Sequence, residues 1–288
     1  MDVTAKIENA LNEAIALADI PGCPPRLAAA MRHAVFPRGA RIRPRLCHAV
    51  ASACGEEHHS ATTAAGAALE LLHCASLVHD DLPCFDAADT RRGRPSIHKA
   101  FGEPLAVLTG DALIVLAFQT LSRATCEPER LALLTLTVAR SVGVPYGIVA
   151  GQAWECESQI DLVHYHRAKT GALFAAATVA GAASAGADAE PWRMVGEKLG
   201  EAYQVADDIR DAAADEDEIG KPVGRDLALG RPSAVAALGI DGAVHRLHEL
   251  VHGAIGAIPR CPNGSELRTL MLSEAKRLVP KKLAQFAA

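Results

Sequence analysis

Four aspartates and three arginines fall within one short run, Leu77 to Ser96, whose central part reads Asp80-Asp81-Leu82-Pro83-Cys84-Phe85-Asp86-Ala87-Ala88-Asp89-Thr90-Arg91-Arg92-Gly93-Arg94. Carboxylates this close repel one another, and burying one unpaired costs several kcal/mol, so a cation belongs among them. Oxygen-only ligands suit a hard ion such as Mg²⁺, which dehydrates reluctantly and binds through one or two carboxylates together with substrate phosphates. The arginines that follow supply guanidinium forks that match phosphate oxygens. This is the chemistry of a metal-diphosphate grip; a solvated charged loop is the other reading of such a composition.

A second run makes the first reading specific. Tyr203-Gln204-Val205-Ala206-Asp207-Asp208-Ile209-Arg210-Asp211 has a helical pattern. At about 100° per residue Asp207 and Asp211 share a face, Gln204 lies about 60° away and Asp208 flanks it. Two acidic clusters far apart in sequence, each joined to an apolar helix, are expected to clamp metal from opposite walls of one cavity. In the first cluster Asp80 and Asp86 would point about 240° apart on a straight helix. Pro83 disfavours helical geometry at Leu82, so the helix is expected to bulge or end there and let Asp86 swing back towards Asp80.

These motifs resemble those of the trans-isoprenyl diphosphate synthases, in which a first Asp-rich motif ends in Arg-Arg-Gly. The second motif of that family is Asp-Asp-x-x-Asp, preceded by Phe-Gln or Tyr-Gln. Within the family the chain is most similar to bacterial geranylgeranyl diphosphate synthases, including those that feed carotenoid and bacteriochlorophyll synthesis. The likeness covers about Phe36 to Ser233.

The resemblance implies that Asp80, Asp81, Asp86, Asp207, Asp208 and Asp211 form the metal site, with three Mg²⁺ ions bound together with substrate diphosphate. It assigns Arg91, Lys169, Lys221 and Arg231 to the allylic diphosphate, and Arg43, His73 and Arg92 to isopentenyl diphosphate. Thr170 faces the carbocation, and Tyr203 and Gln204 lead into the second motif. The catalytic set is Asp80, Asp86, Lys169, Thr170, Gln204 and Asp207.

Several positions depart from the family pattern, among them Ala87 and Ala88, where family members usually carry more acid. Ala40 stands where the family has a lysine that holds isopentenyl diphosphate, so one cation is missing unless Arg38 or Arg41 substitutes. Glu155, in Gln152-Ala153-Trp154-Glu155, replaces an aspartate. Gly230-Arg231-Pro232-Ser233 stands where Gly-Lys-x-Thr is usual, with Arg231 keeping the charge.

Helices must position these groups. Half of the chain is hydrophobic and only 4% aromatic, so the core is built from Ala, Leu and Val, which suits close-packed helices. Helical stripes are expected over Ile7 to Ala18, Pro25 to Val35, Leu105 to Leu121 and Leu131 to Val142. Thr170 to Ala187 has no charged residue, but its small side chains predict a buried helix rather than a transmembrane segment. The resemblance implies an all-α, isoprenoid synthase-type helical bundle around a deep central cavity, with residues 1–288 forming a single domain and two chains forming a homodimer. A formal charge of −5 gives no support for nucleic-acid binding. The eight cysteines show no metal-finger spacing and read as reduced thiols of a cytoplasmic protein.

The implied reaction is Mg²⁺-dependent condensation of isopentenyl diphosphate with dimethylallyl, geranyl or farnesyl diphosphate. Product length follows from the helix before Asp80. One helical turn rises about 5.4 Å, close to an extended isoprene unit. Family members that stop at fifteen carbons place an aromatic residue where Ser76 or Ala75 stands, whereas here the next bulk is one turn deeper, at Leu71 and Leu72. Geranylgeranyl diphosphate is the expected product, with farnesyl diphosphate the alternative. A non-catalytic regulatory subunit of a partner synthase would have lost acidic ligands, and a terpene cyclase would have replaced the second motif.

Overall fold

The computed structural model describes residues 2–36, 39–55, 59–159, 162–213 and 233–278. Arg38, Lys221 and Arg231 therefore lie outside the described residues. The chain divides into two compact units, the first comprising Met1–Ala51, Glu56–Val138 and Ala180–Ala187, and the second Ser52–Gly55, Ala139–Val179 and Asp188–Ala288. Helices dominate both, as expected of an all-α chain.

In the first unit α1 (Val3–Ala16) buries Ile7, Leu11, Ala14 and Ile15, the apolar stripe of a helix with one solvent face. The breakers at Pro21, Gly22 and Pro24 separate it from α2 (Pro25–Val35), which starts on a proline whose missing N–H leaves no helical bond unmade. Helix α3 (Ile42–Ala53) leads to α4 (His59–Asp80), the central helix of the unit. Leu69, Leu71, Leu72, Cys74 and Ala75 are all buried, so α4 is covered on most sides. It packs along α6 (Glu103–Ser122), with contacts to α1 and α2 as well. Fully burying a Leu or Val side chain contributes about 1.5–3 kcal/mol, which makes this helix a firm base for a site at its C-terminal end.

Between α4 and α6 lie a β-hairpin, β1 (Thr90–Arg91) and β2 (Arg94–Pro95), and the short helix α5 (Ile97–Phe101). Arg91 pairs with Arg94 across the hairpin, and both central residues have positive φ, 53° at Arg92 and 72° at Gly93. That is the requirement of a type I′ turn, whose twist matches that of the strands. Sequence reasoning found the arginines and missed the hairpin.

Helix α7 (Pro128–Val142) leads into the second unit. There α8 (Ile148–Ala153), α9 (Leu162–His166) and α10 (Ala172–Ser184), whose last residues from Ala180 on belong to the first unit, are followed by α11 (Arg193–Ala213), α12 (Ala234–Gly256) and α13 (Gly264–Leu278). Its core joins Ala202, Val205, Ala206 and Ile209 of α11 to Ala243, Val244, Leu247, Leu250 and Val251 of α12. Residues 173–184 of α10 are buried throughout, so the uncharged stretch is a core helix.

Among the described residues two helices are long and apolar enough to cross a membrane by length and composition, residues Ser60–Asp80 of α4 and α6 itself. The first is 72% buried and is explained by its place in the core; the second is only 39% buried, leaving Val107, Leu108 and Val115 exposed. None of the eight cysteines is joined in a disulfide.

Candidate active site

In the first unit the chain reverses as soon as α4 ends. The carbonyl of Leu82 accepts from the N–H groups of Phe85 and Ala87 at 2.9 and 3.0 Å, and the Asp86 N–H donates to the Asp80 carbonyl at 2.9 Å. Pro83 cannot continue a helix, and the resulting turn brings the Asp86 backbone beside that of Asp80 despite their separation in sequence. Both residues are half-buried.

Asp81 is placed differently. It is 2% exposed and accepts from Arg91 Nε at 3.0 Å and Arg91 Nη2 at 2.5 Å. Burial, only partly offset by the Arg91 bond and charge, raises the Asp81 carboxyl above its ordinary value. Burial alone would lower the Arg91 guanidinium, but the bond to Asp81 and the charges of Asp81, Asp80 and Asp86 outweigh it and raise the group. Arg91 therefore sits among three carboxylates. Asp89 turns away to pair with Lys99 at 2.9 Å.

Arg92, at the hairpin tip, reaches back to the loop before α3. A Cβ on Gly39 would lie 2.6 Å from Arg92 Nη2, so a side chain there would make the guanidinium shift. Arg43 occupies the first turn of α3, and His73 lies on α4. Burial first, then the charges of Arg43, Arg92, Arg91 and Arg41, hold the His73 imidazole well below its usual range. A neutral imidazole beside Arg43, Arg92 and Arg91 marks a positive locality suited to a diphosphate. The structure thus brings together Arg43, His73, Arg91 and Arg92, drawn from three segments.

Among the described residues of that basic loop, Arg41 does something else. Arg41, 3% exposed, donates from Nε to Glu8 at 2.9 Å, from Nη1 to Glu70 at 2.7 Å and from Nη2 to the Val35 carbonyl at 2.9 Å. Its fork is fully engaged within the protein, so it does not replace the lysine that Ala40 lacks. Neither Glu8 nor Glu70 carries a local signal of this role, because each belongs to a different helix.

In the second unit the chain between α9 and α10 forms a π-helical turn, Arg167–Gly171, which carries Lys169 and Thr170. Such bulges widen a helix locally and recur at functional sites. The turn lies hard against α8, where a Cβ on Gly151 would come within 2.4 Å of the Lys169 nitrogen. Lys169 Nζ pairs with Glu155, which also accepts from Tyr165 Oη at 2.7 Å and from Gln152 Nε2 at 2.9 Å. The glutamate that departs from the family pattern is therefore the counter-ion of Lys169.

Thr170 Oγ1 donates to Gln204 Oε1 at 2.8 Å, and Gln204 Nε2 donates to Asp208 Oδ1 at 3.0 Å. The other oxygen of Asp208 accepts from the N–H of Ala234, the first residue of α12, at 2.7 Å. Asp208 is 3% exposed. Its neighbour Asp207, one position earlier, is half-buried and meets Arg210 at 3.3 Å, and Asp211 is half-buried one turn on. Tyr203 packs its ring 5.3 Å from that of Phe174.

The donor set fits Mg²⁺. Among the described residues no three His, Cys, Asp or Glu side chains converge as a ready-made metal cage. Each unit offers a pair of half-buried carboxylates, Asp80 and Asp86 in the first and Asp207 and Asp211 in the second, all hard oxygen donors. An ion that keeps waters and takes substrate phosphates needs no more from the protein.

The sequence pattern described as polyprenyl synthetase matches residues 24–260. The chain is 52% identical to a geranylgeranyl diphosphate synthase from Cereibacter sphaeroides and 49% identical to one from Rhodobacter capsulatus, each over 97% of both chains. Among solved structures, the geranylgeranyl pyrophosphate synthetase of Pyrococcus horikoshii is similar with a TM-score of 0.80 at 27% identity, covering 97% of this chain and 98% of that one. With the family pattern spanning most of its length and both Asp-rich motifs in place, this chain belongs to the polyprenyl synthetase family.

Proposed function

We propose that this protein is a Mg²⁺-dependent geranylgeranyl diphosphate synthase that condenses isopentenyl diphosphate with dimethylallyl, geranyl and farnesyl diphosphates. The observation that carries the reading is the reversal that returns Asp86 to Asp80 and leads directly into Arg91 and Arg92. The names of the two bacterial relatives support the twenty-carbon product.

Asp80, Asp86, Asp207 and Asp211 would hold the metal, while Asp81 and Asp208 hold Arg91 and the start of α12 in place. When bound, Mg²⁺ supplies Lewis-acid stabilisation of the charge on the departing diphosphate. Arg91 and Lys169 bind phosphate oxygens of the allylic substrate, and Lys221 and Arg231 complete that set. The allylic carbon–oxygen bond breaks and its electron pair leaves with the diphosphate. Thr170, held by Gln204, lines the region of the resulting allylic cation. Arg43, His73 and Arg92 orient isopentenyl diphosphate so that its double bond attacks that cation. A proton is then lost to an oxygen of the released diphosphate, so no separate protein base is required.

The exposed apolar residues of α6 support a homodimer, in which a second copy would cover Val107, Leu108 and Val115. Eight cysteines outside disulfides suit a cytoplasmic setting. The test is an assay with radiolabelled isopentenyl diphosphate and each allylic primer, with products separated by chain length. Mg²⁺-dependent twenty-carbon product is expected, and loss of activity in a folded Asp80→Ala protein. Fifteen-carbon product would favour farnesyl diphosphate synthesis, and near-normal turnover by Asp80→Ala would remove the metal assignment.

A further inference from the structure

The loop before α3 contains a residue in a conformation that side chains rarely adopt. Arg41 has a φ of 50°, and its carbonyl accepts the first bond of α3 from the Arg45 N–H at 3.1 Å. It therefore occupies the N-cap position, but in the left-handed region rather than the extended region usual there. A non-glycine residue stays in that region only when its surroundings over-determine it.

The surroundings here are three bonds to one guanidinium, from Glu8 on α1, Glu70 on α4 and the last carbonyl of α2 at Val35. Both carboxylates are buried, Glu8 at 5% and Glu70 at 1% exposure. The cluster ties three helices to the one residue that sets the entry of α3. Arg43 follows two residues later, and His73 lies three residues beyond Glu70 on the same helix. The guanidinium of Arg41 is already paired with two buried carboxylates, so a phosphate approaching Ala40 or Arg43 gains little from it.

We infer that Arg41 is a positioning residue for the isopentenyl diphosphate pocket: its buried ion cluster with Glu8 and Glu70 fixes the backbone that presents Arg43, and withholds its own charge from the substrate. The inference rests on the proposed function only in the identity of that ligand. Two consequences separate it from a merely structural role. Disturbing the cluster weakens one ligand selectively, and adding a cation at residue 40 strengthens that ligand because Arg41 has not already supplied one.

The experiment is calorimetric binding of isopentenyl diphosphate and, separately, of geranyl diphosphate with Mg²⁺, to wild type, Arg41→Lys, Glu8→Ala and Ala40→Lys. Folding is checked by circular dichroism. Arg41→Lys and Glu8→Ala are expected to weaken isopentenyl diphosphate about tenfold, the effect of one misplaced charge-assisted bond, with geranyl diphosphate within about twofold. Ala40→Lys is expected to tighten isopentenyl diphosphate about tenfold. Position 40 is exposed, so this variant remains informative even if the cluster variants do not fold. An unchanged dissociation constant in Ala40→Lys, or equal weakening of both ligands in folded cluster variants, overturns the inference. Wild type that binds isopentenyl diphosphate without turnover removes the proposed activity and leaves this test intact; wild type that does not bind it removes both.

Discussion

Asp207 and Asp208 are adjacent and chemically identical, yet the structure gives them different work, and replacing Asp208 tests that difference. Its oxygens accept from Gln204 Nε2 at 3.0 Å and the Ala234 N–H at 2.7 Å, with 3% of the residue exposed. Asparagine can keep the Ala234 bond through its own oxygen and turn its amide NH₂ towards Gln204. Gln204 can answer by flipping, so that its oxygen accepts from residue 208 and its nitrogen donates to the Thr170 hydroxyl, which serves equally as acceptor. The chain of bonds survives with its direction reversed, and the loss is that of a charged acceptor replaced by a neutral one, about 1 kcal/mol. Alanine instead leaves the Ala234 N–H and the Gln204 amide without their buried acceptor, about 3 kcal/mol. At about 2–4 °C per kcal/mol for a chain of this size, Asp208→Asn should melt roughly 2–4 °C below wild type and Asp208→Ala roughly 6–12 °C below. The assay is thermal unfolding by circular dichroism, paired with the Mg²⁺ concentration for half-maximal activity. Asp208→Asn should leave that concentration within about twofold, whereas Asp207→Asn should raise it about tenfold with little change in Tm. An Asp208→Ala protein that melts with wild type, or an Asp208→Asn protein whose only defect is a raised Mg²⁺ requirement, would refute the anchoring role.

His73 should make stability depend on pH. Its folded pKa is held well below the unfolded value of about 6.5, so below pH 6.5 the unfolded chain takes up a proton that the folded one refuses. Stability from this group should fall by up to about 1.4 kcal/mol per pH unit below that point, and a folded His73→Leu protein should lose that slope in urea titrations between pH 5 and 7. Ala75 is 1% exposed on α4, five residues before Asp80, and Ala75→Phe should shift the product distribution towards fifteen carbons by chromatography. An unchanged distribution would show that Ala75, Ser76 and Leu72 do not set the length. The α6 surface predicts a dimer by analytical ultracentrifugation, which Val107→Glu combined with Val115→Glu should convert to monomer. Dimers that persist in that variant would place the contact elsewhere.

Residue types and short spacings determined a good deal of this protein by themselves. The position of Pro83 foretells the end of α4, because a proline clash acts within one turn, and the absence of charge over Thr170 to Ala187 foretells a buried helix. The two Asp-rich motifs and the arginines after the first are likewise legible, since their chemistry depends on which groups are neighbours along the chain. The fate of each group was not. Asp207 and Asp208 differ only in which neighbour lies over them, and Asp208 is covered because the start of α12 returns to it from outside the motif. Arg41 looked available to a substrate until Glu8 and Glu70 arrived from two other helices. Glu155 looked like a conservative replacement until the π-turn set Lys169 upon it. Burial and ion pairing are properties of segments that meet only when the chain folds, so the tertiary structure alone decided which charges face a ligand and which hold the protein together.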